Sequence, residues 1–326
     1  MTRIVNSFSI IAAILTVLLC AGAAQALEFR TWVSGLGNDT GQCTRAAPCQ
    51  TFSVAYSKTA VGGEIDVLDT GEYGNLVIQH AITIASDGAG TGGILNPGGA
   101  GIVIEAGATD AVILRGLEIN GLGTGIGGVV FDTGGSLLVD HCKMYGFQGN
   151  FGQVTAGITF QPNGASKLWV TDSVISNNGI STTGNVLIRP QAGGSVAAQF
   201  ERVQIVGAIG NGVRVDGTTG GAGATELELH DVVVDGSSES GIVGVSASGG
   251  AAVTIIADNV TASNNVGYGV RSYGGTSIVY LSRSTVTGNN IGVGVSSGGV
   301  LISYSDNRIR GNLNSDGSPT STVPLN

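Results

Sequence analysis

Seven polar side chains occupy matching positions in short, valine-rich segments, and they are the residues of this sequence that could do chemistry. In the segment GVRVD, for instance, Arg214 and Asp216 alternate with two valines. A guanidinium group pairs with carboxylates through its fork of N–H donors, so arginines in such a row could bind an acidic sugar. The full candidate set is Asp132, Gln161, Arg189, Arg214, Asp216, Arg271 and Tyr273.

The alternation in these segments predicts the element that positions the candidates. Side chains of a β-strand point alternately to its two faces, so the valines of GVRVD face one way and Arg214 and Asp216 the other. Seven segments share the pattern: GVVFD (128–132), GITFQ (157–161), NVLIR (185–189), GVRVD (212–216), GIVGVS (241–246), GVRSY (269–273) and GVGVS (292–296). We therefore expect the candidates on the outer face of one sheet, with Val243 and Ser246 as the outward pair of the fifth segment.

A second repeated segment, typified by LELHDVVVDG, ends in a turn residue every 23 to 31 positions. Those turn residues are Gly121, Gly146, Asn177, Gly207, Gly236, Asn264, Asn289 and Asn312. Pairs of glycines mark a further corner before the next copy, and 56 glycines in 326 residues fit many tight turns. Each unit therefore holds three short strands and three corners, and the units must stack to bury their apolar faces. We expect the four asparagines to form one ladder of side-chain amides.

These repeats resemble the pectate-lyase-like family of right-handed parallel β-helix proteins. Residues 35–84 are similar to the opening segment of many members, in which a Gly/Asp-rich loop leads through a short helix to the first coils. The resemblance implies an all-β fold, a single right-handed parallel β-helix with three strands per coil and a short capping helix over 51–60. We expect residues 27–75 to form the N-terminal cap and opening segment, 76–312 the β-helix and 313–326 a C-terminal tail.

Residues 1–26 have the pattern of a signal peptide. Arg3 precedes an apolar run over 10–19, and Ala24-Gln25-Ala26 provides small residues at a cleavage site. We expect cleavage after Ala26 and export to the periplasm or out of the cell. The remaining sequence has no apolar stretch long enough to span a membrane.

Export also bears on the cysteines, because disulfides persist in oxidising compartments. We expect Cys43 and Cys49, which bracket a short loop, to form one, and Cys142 to be a buried thiol in an apolar position of the repeat.

Without residues 1–26 the chain carries 13 basic and 23 acidic residues. Nucleic acid and anionic lipid require a basic surface, so this balance excludes them as main partners. We expect a monomer.

Cofactor motifs are missing from the sequence, which has no paired metal-binding cysteines, no HExxH and no phosphate-binding loop. We therefore expect no cofactor. Calcium could, however, bind loop carboxylates, either at Asn38-Asp39 or at Asp66 and Asp69.

Carboxylate spacing argues against glycoside hydrolysis by the candidate set. Asp132 and Asp216 are three coils apart, roughly 14 Å at the ~4.8 Å spacing of neighbouring strands. Inverting glycosidases separate their two carboxylates by about 6.5–9.5 Å and retaining ones by about 5–5.5 Å. Asp172 and Glu201 are on adjacent coils, but they belong to a column of acids and asparagines at a tight bend, where such residues satisfy the backbone.

Two functional hypotheses follow. The first is a secreted β-helix protein that acts as a non-catalytic binder or surface-structural rod, with polysaccharide as its partner. The alternative is a carbohydrate-active enzyme similar to uronate polysaccharide lyases, with Arg189 or Arg214 as the base and Asp216 beside them.

Overall fold

Three parallel β-sheets form the body of the chain in the computed structural model, which describes residues 27–88, 90–150, 152 and 154–324. Within these residues the sheets have 12, 10 and 10 strands, named here sheets 1, 2 and 3. Each coil passes through sheet 2, sheet 1 and sheet 3 in turn, so successive coils stack strand on strand.

Sheet 1 contains β1 (Glu28–Val33), β2 (Thr59–Val67), β5 (Ile82–Ala85), β8 (Ala111–Arg115), β11 (Ser136–Asp140), β14 (Ala165–Thr171), β17 (Ser195–Glu201), β20 (Thr225–His230), β23 (Val253–Asp258), β26 (Ser277–Ser282), β29 (Val300–Tyr304) and β32 (Ser321–Val323). Sheet 2 contains β4 (Leu76–Ile78), β7 (Ala100–Glu105), β10 (Gly127–Thr133), β13 (Ala156–Phe160), β16 (Gly184–Ile188), β19 (Asn211–Gly217), β22 (Ile242–Ser246), β25 (Tyr268–Tyr273), β28 (Ile291–Ser296) and β31 (Ser315–Gly317). Sheet 3 contains β3 (Gly71–Glu72), β6 (Gly92–Leu95), β9 (Leu117–Asn120), β12 (Lys143–Tyr145), β15 (Val174–Ser176), β18 (Gln204–Val206), β21 (Val233–Asp235), β24 (Thr261–Ser263), β27 (Thr285–Thr287) and β30 (Arg308–Ile309).

The core is a continuous internal stack of apolar side chains. In sheet 2, Val129 is in register with Ile158, and that residue in turn with Val186. All three are fully buried, and the rings of Phe131 and Phe160 stack with centroids 4.3 Å apart. Burial of each coil therefore depends on its neighbours, as the repeats predicted. The right-handed parallel β-helix with three strands per coil is confirmed.

One short helix, α1 (Phe52–Lys58), covers the N-terminal end of the core. Its side chains Phe52 and Ala55 are buried, and the hydroxyl of Thr51 accepts a hydrogen bond from the backbone N–H of Val54 as an N-cap. The helix is shorter than the expected span 51–60 because β2 begins at Thr59, in a segment whose β-branched Thr59 and Val61 and two glycines disfavour helix.

The sheets also extend past the β-helix bounds predicted from the repeats, 76 and 312. Strands β1, β2 and β3 precede the first bound, and β31 and β32 follow the second. The last two, SDG and STV, lack the apolar alternation by which the other coils were recognised. Backbone pairing with the preceding coil, rather than side-chain pattern, defines these outer strands.

The asparagine ladder differs from the predicted column. Asn177 and Asn264 occupy left-handed turn positions, both with φ of 54°. The following residue in each coil points inward, so the ladder runs through Asn265, Asn289 and Asn312. Nδ2 of Asn265 donates to Oδ1 of Asn289 at 2.8 Å, and Nδ2 of Asn289 donates to Oδ1 of Asn312 at 3.0 Å. The turn contains two residues, and two consecutive asparagines occupy it at 177–178 and 264–265. The sequence alone therefore did not show which asparagine of each pair points inward.

The remaining expectations concern cysteines and the N-terminus. A disulfide joins Cys43 to Cys49. Cys142 is a free, buried thiol, and desolvation by burial raises its pKa to about 12. The predicted signal peptide, 1–26, lies outside the described residues. Among the residues that are described, no helix has the length and apolar character needed to cross a membrane.

Candidate functional site

The outer face of sheet 2 brings part of the candidate set together. Arg214 on β19 is in register with Val243 on β22, which is in register with Arg271 on β25. Two strand spacings of ~4.8 Å separate the two arginines along the axis of the β-helix. Asp216, Val245 and Tyr273 form the next outward row in the same way.

Arg214 is held by a buried carboxylate. Its Nε and one terminal nitrogen donate to Oδ2 of Asp216 at 3.0 and 2.8 Å, and the other carboxylate oxygen accepts from the backbone N–H and the hydroxyl of Thr218 at 3.0 and 2.6 Å. Asp216 is 5% exposed, and burial alone would raise its pKa. The hydrogen bonds from Thr218 and the positive charge of Arg214 outweigh burial, so the pKa of Asp216 is lowered. The carboxylate is ionised and both its oxygens are engaged.

Arg271 is fixed by aromatic rings. Its guanidinium carbon lies 4.7 Å from the ring centroid of Tyr268 and 5.3 Å from that of Tyr273. One terminal nitrogen donates to the hydroxyl of Ser296 at 2.9 Å, while Nε is buried without a hydrogen-bond partner in the described part of the chain. Gly294 follows Arg271 in register, and a Cβ there would collide with the ring of Tyr268. The glycine therefore leaves room for the ring beside the guanidinium.

Arg214, Arg271 and Tyr273 line a depression of about 400 Å³, called here the arginine groove. Its lining residues are Ser181, Thr182, Asn211, Arg214, Glu239, Ser240, Val243, Val245, Arg271 and Tyr273. Two loops rise beside the sheet, one after β15 and one after β21, and supply the hydroxyl groups and Glu239. A second depression of about 550 Å³, lined by serines, glycines and Thr276, shares Tyr273 with the groove. The two depressions thus follow one another along the surface, with this exposed ring between them.

The other candidates lie apart from the arginine groove. Nε2 of Gln161 donates to Oδ1 of Asp132 at 2.7 Å, and this pair occupies earlier coils of sheet 2. Arg189 directly follows β16, one coil after Gln161 and one before Asp216. Its side chain makes no hydrogen bond or ion pair with other residues that the structure describes. The predicted set is therefore divided into an amide–carboxylate pair, a partly exposed arginine and the groove.

One predicted outward residue is wrong. Ser246 is 3% exposed and is in register with Gly217, whereas Val245 takes the outward row beside Tyr273. The glycine at position 244 occupies the inward position between the two valines, so the regular alternation continues to Val245. The prediction counted one residue too far along the segment.

The charged side chains at the bend between sheets 1 and 3 are bonded to one another. Arg202 donates to both oxygens of Asp172, at 2.7 and 2.8 Å, and also bonds to Glu201, so it occupies the space between these two acids. Asp140, His141 and Asp172 could meet around a metal ion, but Asp140 already accepts from His141 at 2.7 Å and Asp172 is held by Arg202. Left-handed backbone at His141, Asp172 and Arg202 fits the expected role of this column in turning the chain.

The loop carboxylates considered for calcium have protein partners. Asp39 accepts hydrogen bonds from the backbone N–H groups of Gln50 and Thr51 at 2.8 and 3.0 Å. Asp69 accepts from the hydroxyl of Ser34, and this bond is the main cause of its lowered pKa. Asp66 is paired with Arg30. Asp39 and Asp69 therefore stabilise loops of the opening segment, whereas Asp66 links strand β2 to strand β1.

Comparison with known proteins gives likeness of architecture only. No protein-family model matches the chain, and no curated protein matches it. Among solved structures, the pectate lyase Pel9A is similar with a TM-score of 0.47 and 16% identity over 92% of this chain and 78% of that one. The GH136 lacto-N-biosidase from Eubacterium ramulus has a TM-score of 0.46 and 11% identity, with 90% and 67% covered. The mannuronan C-5 epimerase AlgE4 A-module of Azotobacter vinelandii has a TM-score of 0.38 and 13% identity, with 78% and 81% covered.

The stacked sheets of the chain itself define a parallel β-helix protein, and two arginines line a groove on one of these sheets. Sequence reasoning found Arg214, Arg271 and Tyr273, which follow strand alternation. It missed Tyr268 and Glu239, because the first begins a strand and the second lies in a loop, outside the alternating pattern. A tyrosine three residues before an arginine was the one available signal for the ring that stacks on Arg271.

Proposed function

We propose that this chain is an exported β-helix protein that binds a linear acidic polysaccharide along sheet 2, without cleaving it. The carrying observation is that Arg214 and Arg271 line the same groove, although the protein as a whole has a net charge of −9. A local pair of guanidinium groups can bind carboxylate-bearing ligands through charge-assisted hydrogen bonds, even though the protein as a whole is acidic.

Ring and shape support a polymeric ligand. Tyr273 is exposed and stands between the groove and the second depression, so one ring can contact a sugar unit while hydroxyl-bearing residues contact the units on either side. Flat, amphipathic rings suit contact with the apolar faces of sugars. The β-helix is rigid because its coils are packed in register, so binding orders little of the protein.

The proposal favours binding over lysis because of the state of the groups beside Arg214. A base must give up its own proton before it can take one from the substrate, but the guanidinium of Arg214 donates two bonds to an ionised carboxylate. Asp216, engaged by Thr218 and Arg214, is likewise committed to orienting the arginine.

The test measures binding and cleavage in the same samples. Polygalacturonate and alginate are titrated into the chain that lacks residues 1–26, with and without calcium, and the absorbance of unsaturated products is followed. We expect saturable binding, roughly tenfold weaker in Arg271→Ala, and no product. Arg310→Ala, which removes an exposed arginine outside the groove, is the matched control and should bind as the unmodified chain does.

Steady product formation that Arg214→Ala abolishes would replace the proposal by the lyase alternative. Equal binding by the unmodified chain and Arg271→Ala would remove the groove as the binding site.

A further inference from the structure

A second surface, on the outer face of sheet 1, has the groups of a sugar-binding site but different electrostatics. Three neighbouring strands present it: Lys167 and Trp169 on β14, Ala197 and Gln199 on β17, and Glu226 and Glu228 on β20. Together with Ala198, these six residues line a depression of about 220 Å³, called here the tryptophan depression. Neither the candidate set nor the arginine groove includes any of them.

The depression exists because a small residue lies in the middle row. Ala197 is in register with Lys167 on one side and Glu226 on the other, and both of these side chains are long. The methyl group of Ala197 leaves the space between them open, next to the ring of Trp169. A volume of about 220 Å³ is below the roughly 300 Å³ at which pockets for drug-sized ligands begin, so the depression suits a single ring.

The polar groups around the ring of Trp169 include both hydrogen-bond donors and acceptors. Lys167 can donate hydrogen bonds, Glu226 and Glu228 can accept them, and the amide of Gln199 can do both. A sugar ring carries hydroxyl groups that need donors and acceptors around its edge, and an apolar face that packs on an indole. Two carboxylates disfavour a uronate here. Lys167, whose ammonium lies 6.0 Å from the centroid of the Trp169 ring, disfavours a cation on that ring.

We infer that the tryptophan depression binds a neutral sugar unit, with its ring stacked on Trp169 and its hydroxyl groups bonded to Gln199, Glu226 and Glu228. This site goes beyond the acidic-glycan groove and lies on a different sheet. The two sites would allow one β-helix to contact a neutral and an acidic glycan at once.

Fluorescence offers a direct readout, because Trp32 and Trp169 are the two tryptophans of the chain. In a Trp32→Phe background, emission reports on Trp169 alone. The chain lacking residues 1–26 is titrated with neutral oligosaccharides of glucose, xylose, mannose and galactose, and calorimetry gives the affinities. We expect at least one oligosaccharide to shift the emission and to bind with a dissociation constant in the millimolar range or below.

Variants then separate this site from others. Trp169→Ala should weaken the neutral oligosaccharide at least tenfold, and Glu226→Gln/Glu228→Gln, which preserves shape, about fivefold. Tyr280→Ala removes another outward aromatic of sheet 1, outside the depression, and should bind as the parent does. Circular dichroism checks that each variant is folded. If Trp169→Ala does not fold, the isosteric Glu226→Gln/Glu228→Gln variant tests whether the depression is the binding site.

The inference is overturned if no neutral oligosaccharide binds, if Trp169→Ala binds as tightly as the parent, or if only a positively charged amino-sugar oligomer binds. The Arg214→Ala/Arg271→Ala variant should retain neutral binding. Failure of polygalacturonate to bind the unmodified chain would therefore count against the arginine groove and leave this result unaffected.

Discussion

The arginine groove and the tryptophan depression lie on two different sheets and share the coil of β19 and β20, but they recruit their polar groups differently. In the groove, arginines are bonded to a buried carboxylate or enclosed by tyrosines, and loops add hydroxyl groups above the sheet. In the depression, strand residues alone form the surface, and a single alanine makes the space. The contrast shows that stacked coils can produce an arginine-lined site bordered by loops and a flat site formed by strand residues alone.

The largest expected effect separates the two surfaces by ligand charge. Arg214→Ala/Arg271→Ala should weaken polygalacturonate binding roughly 100-fold, because each arginine contributes a charge-assisted hydrogen bond of about 1.5–3 kcal/mol. Glu226→Gln/Glu228→Gln, a double substitution in the depression, should leave this affinity within twofold. Calorimetry on both variants checks the expectation, and equal weakening by the two would break the comparison.

The next effect concerns stability and its dependence on pH. Asp216→Asn removes the partner of Arg214 in a buried setting and should lower the free energy of unfolding by about 1–3 kcal/mol at pH 7. Because the pKa of Asp216 is lowered in the folded state, its contribution is present above the unfolded value of about 3.9. Urea titrations should show the difference from the parent narrowing as the pH falls through and below that value.

Asp258→Asn on sheet 1 is the control for a carboxylate in a more exposed pair. Its hydrogen bond with Arg283 is the main reason why the pKa of Asp258 is lowered to about 2. Arg283 is largely exposed, so solvent screening should limit the loss of stability to less than about 1 kcal/mol. A larger loss for Asp258→Asn than for Asp216→Asn would contradict the stabilising role assigned to burial in the groove.

Salt should act on one surface and hardly on the other. Raising the ionic strength from about 0.1 M to 1 M shortens the Debye length from about 10 Å to 3 Å. Polygalacturonate binding should weaken several-fold, because guanidinium–carboxylate attraction is screened, while binding of a neutral oligosaccharide should change less than twofold. Titrations at the two salt concentrations measure both, and salt-independent polygalacturonate binding would argue against the arginines.

The smallest expected effect tests the ring between the two depressions of sheet 2. Tyr273→Ala removes one of the two rings beside Arg271 and a contact for a polymer. At an exposed site a cation–π interaction contributes about 0.5–1 kcal/mol, so polygalacturonate should bind two- to fivefold more weakly. Tyr273→Phe retains the ring and should bind within twofold of the parent; a loss as large as that of the alanine variant would assign the effect to the hydroxyl group.

Much of the fold was predictable from local patterns. Alternation in segments such as GVRVD placed Val213 and Val215 inside and Arg214 outside, and the structure agrees. The sites were less predictable. Lys167, Ala197 and Glu226 are more than 25 residues apart from one another, and nothing in their local sequences indicates that they meet. Coil lengths vary between 23 and 31 residues, so the register that aligns them depends on every corner between them.

The sequence by itself determined the repeating coil, because strand alternation and left-handed turn residues are properties of a few neighbouring residues. Only the tertiary structure decided which outward residues share a surface. Stacking places residues from successive coils ~4.8 Å apart, and a shift of one position, as between Val245 and Ser246, changes which side chain stands in the row of Asp216 and Tyr273. The grouping of Arg214 with Arg271 and of Trp169 with Ala197 therefore arises from the packing of whole coils.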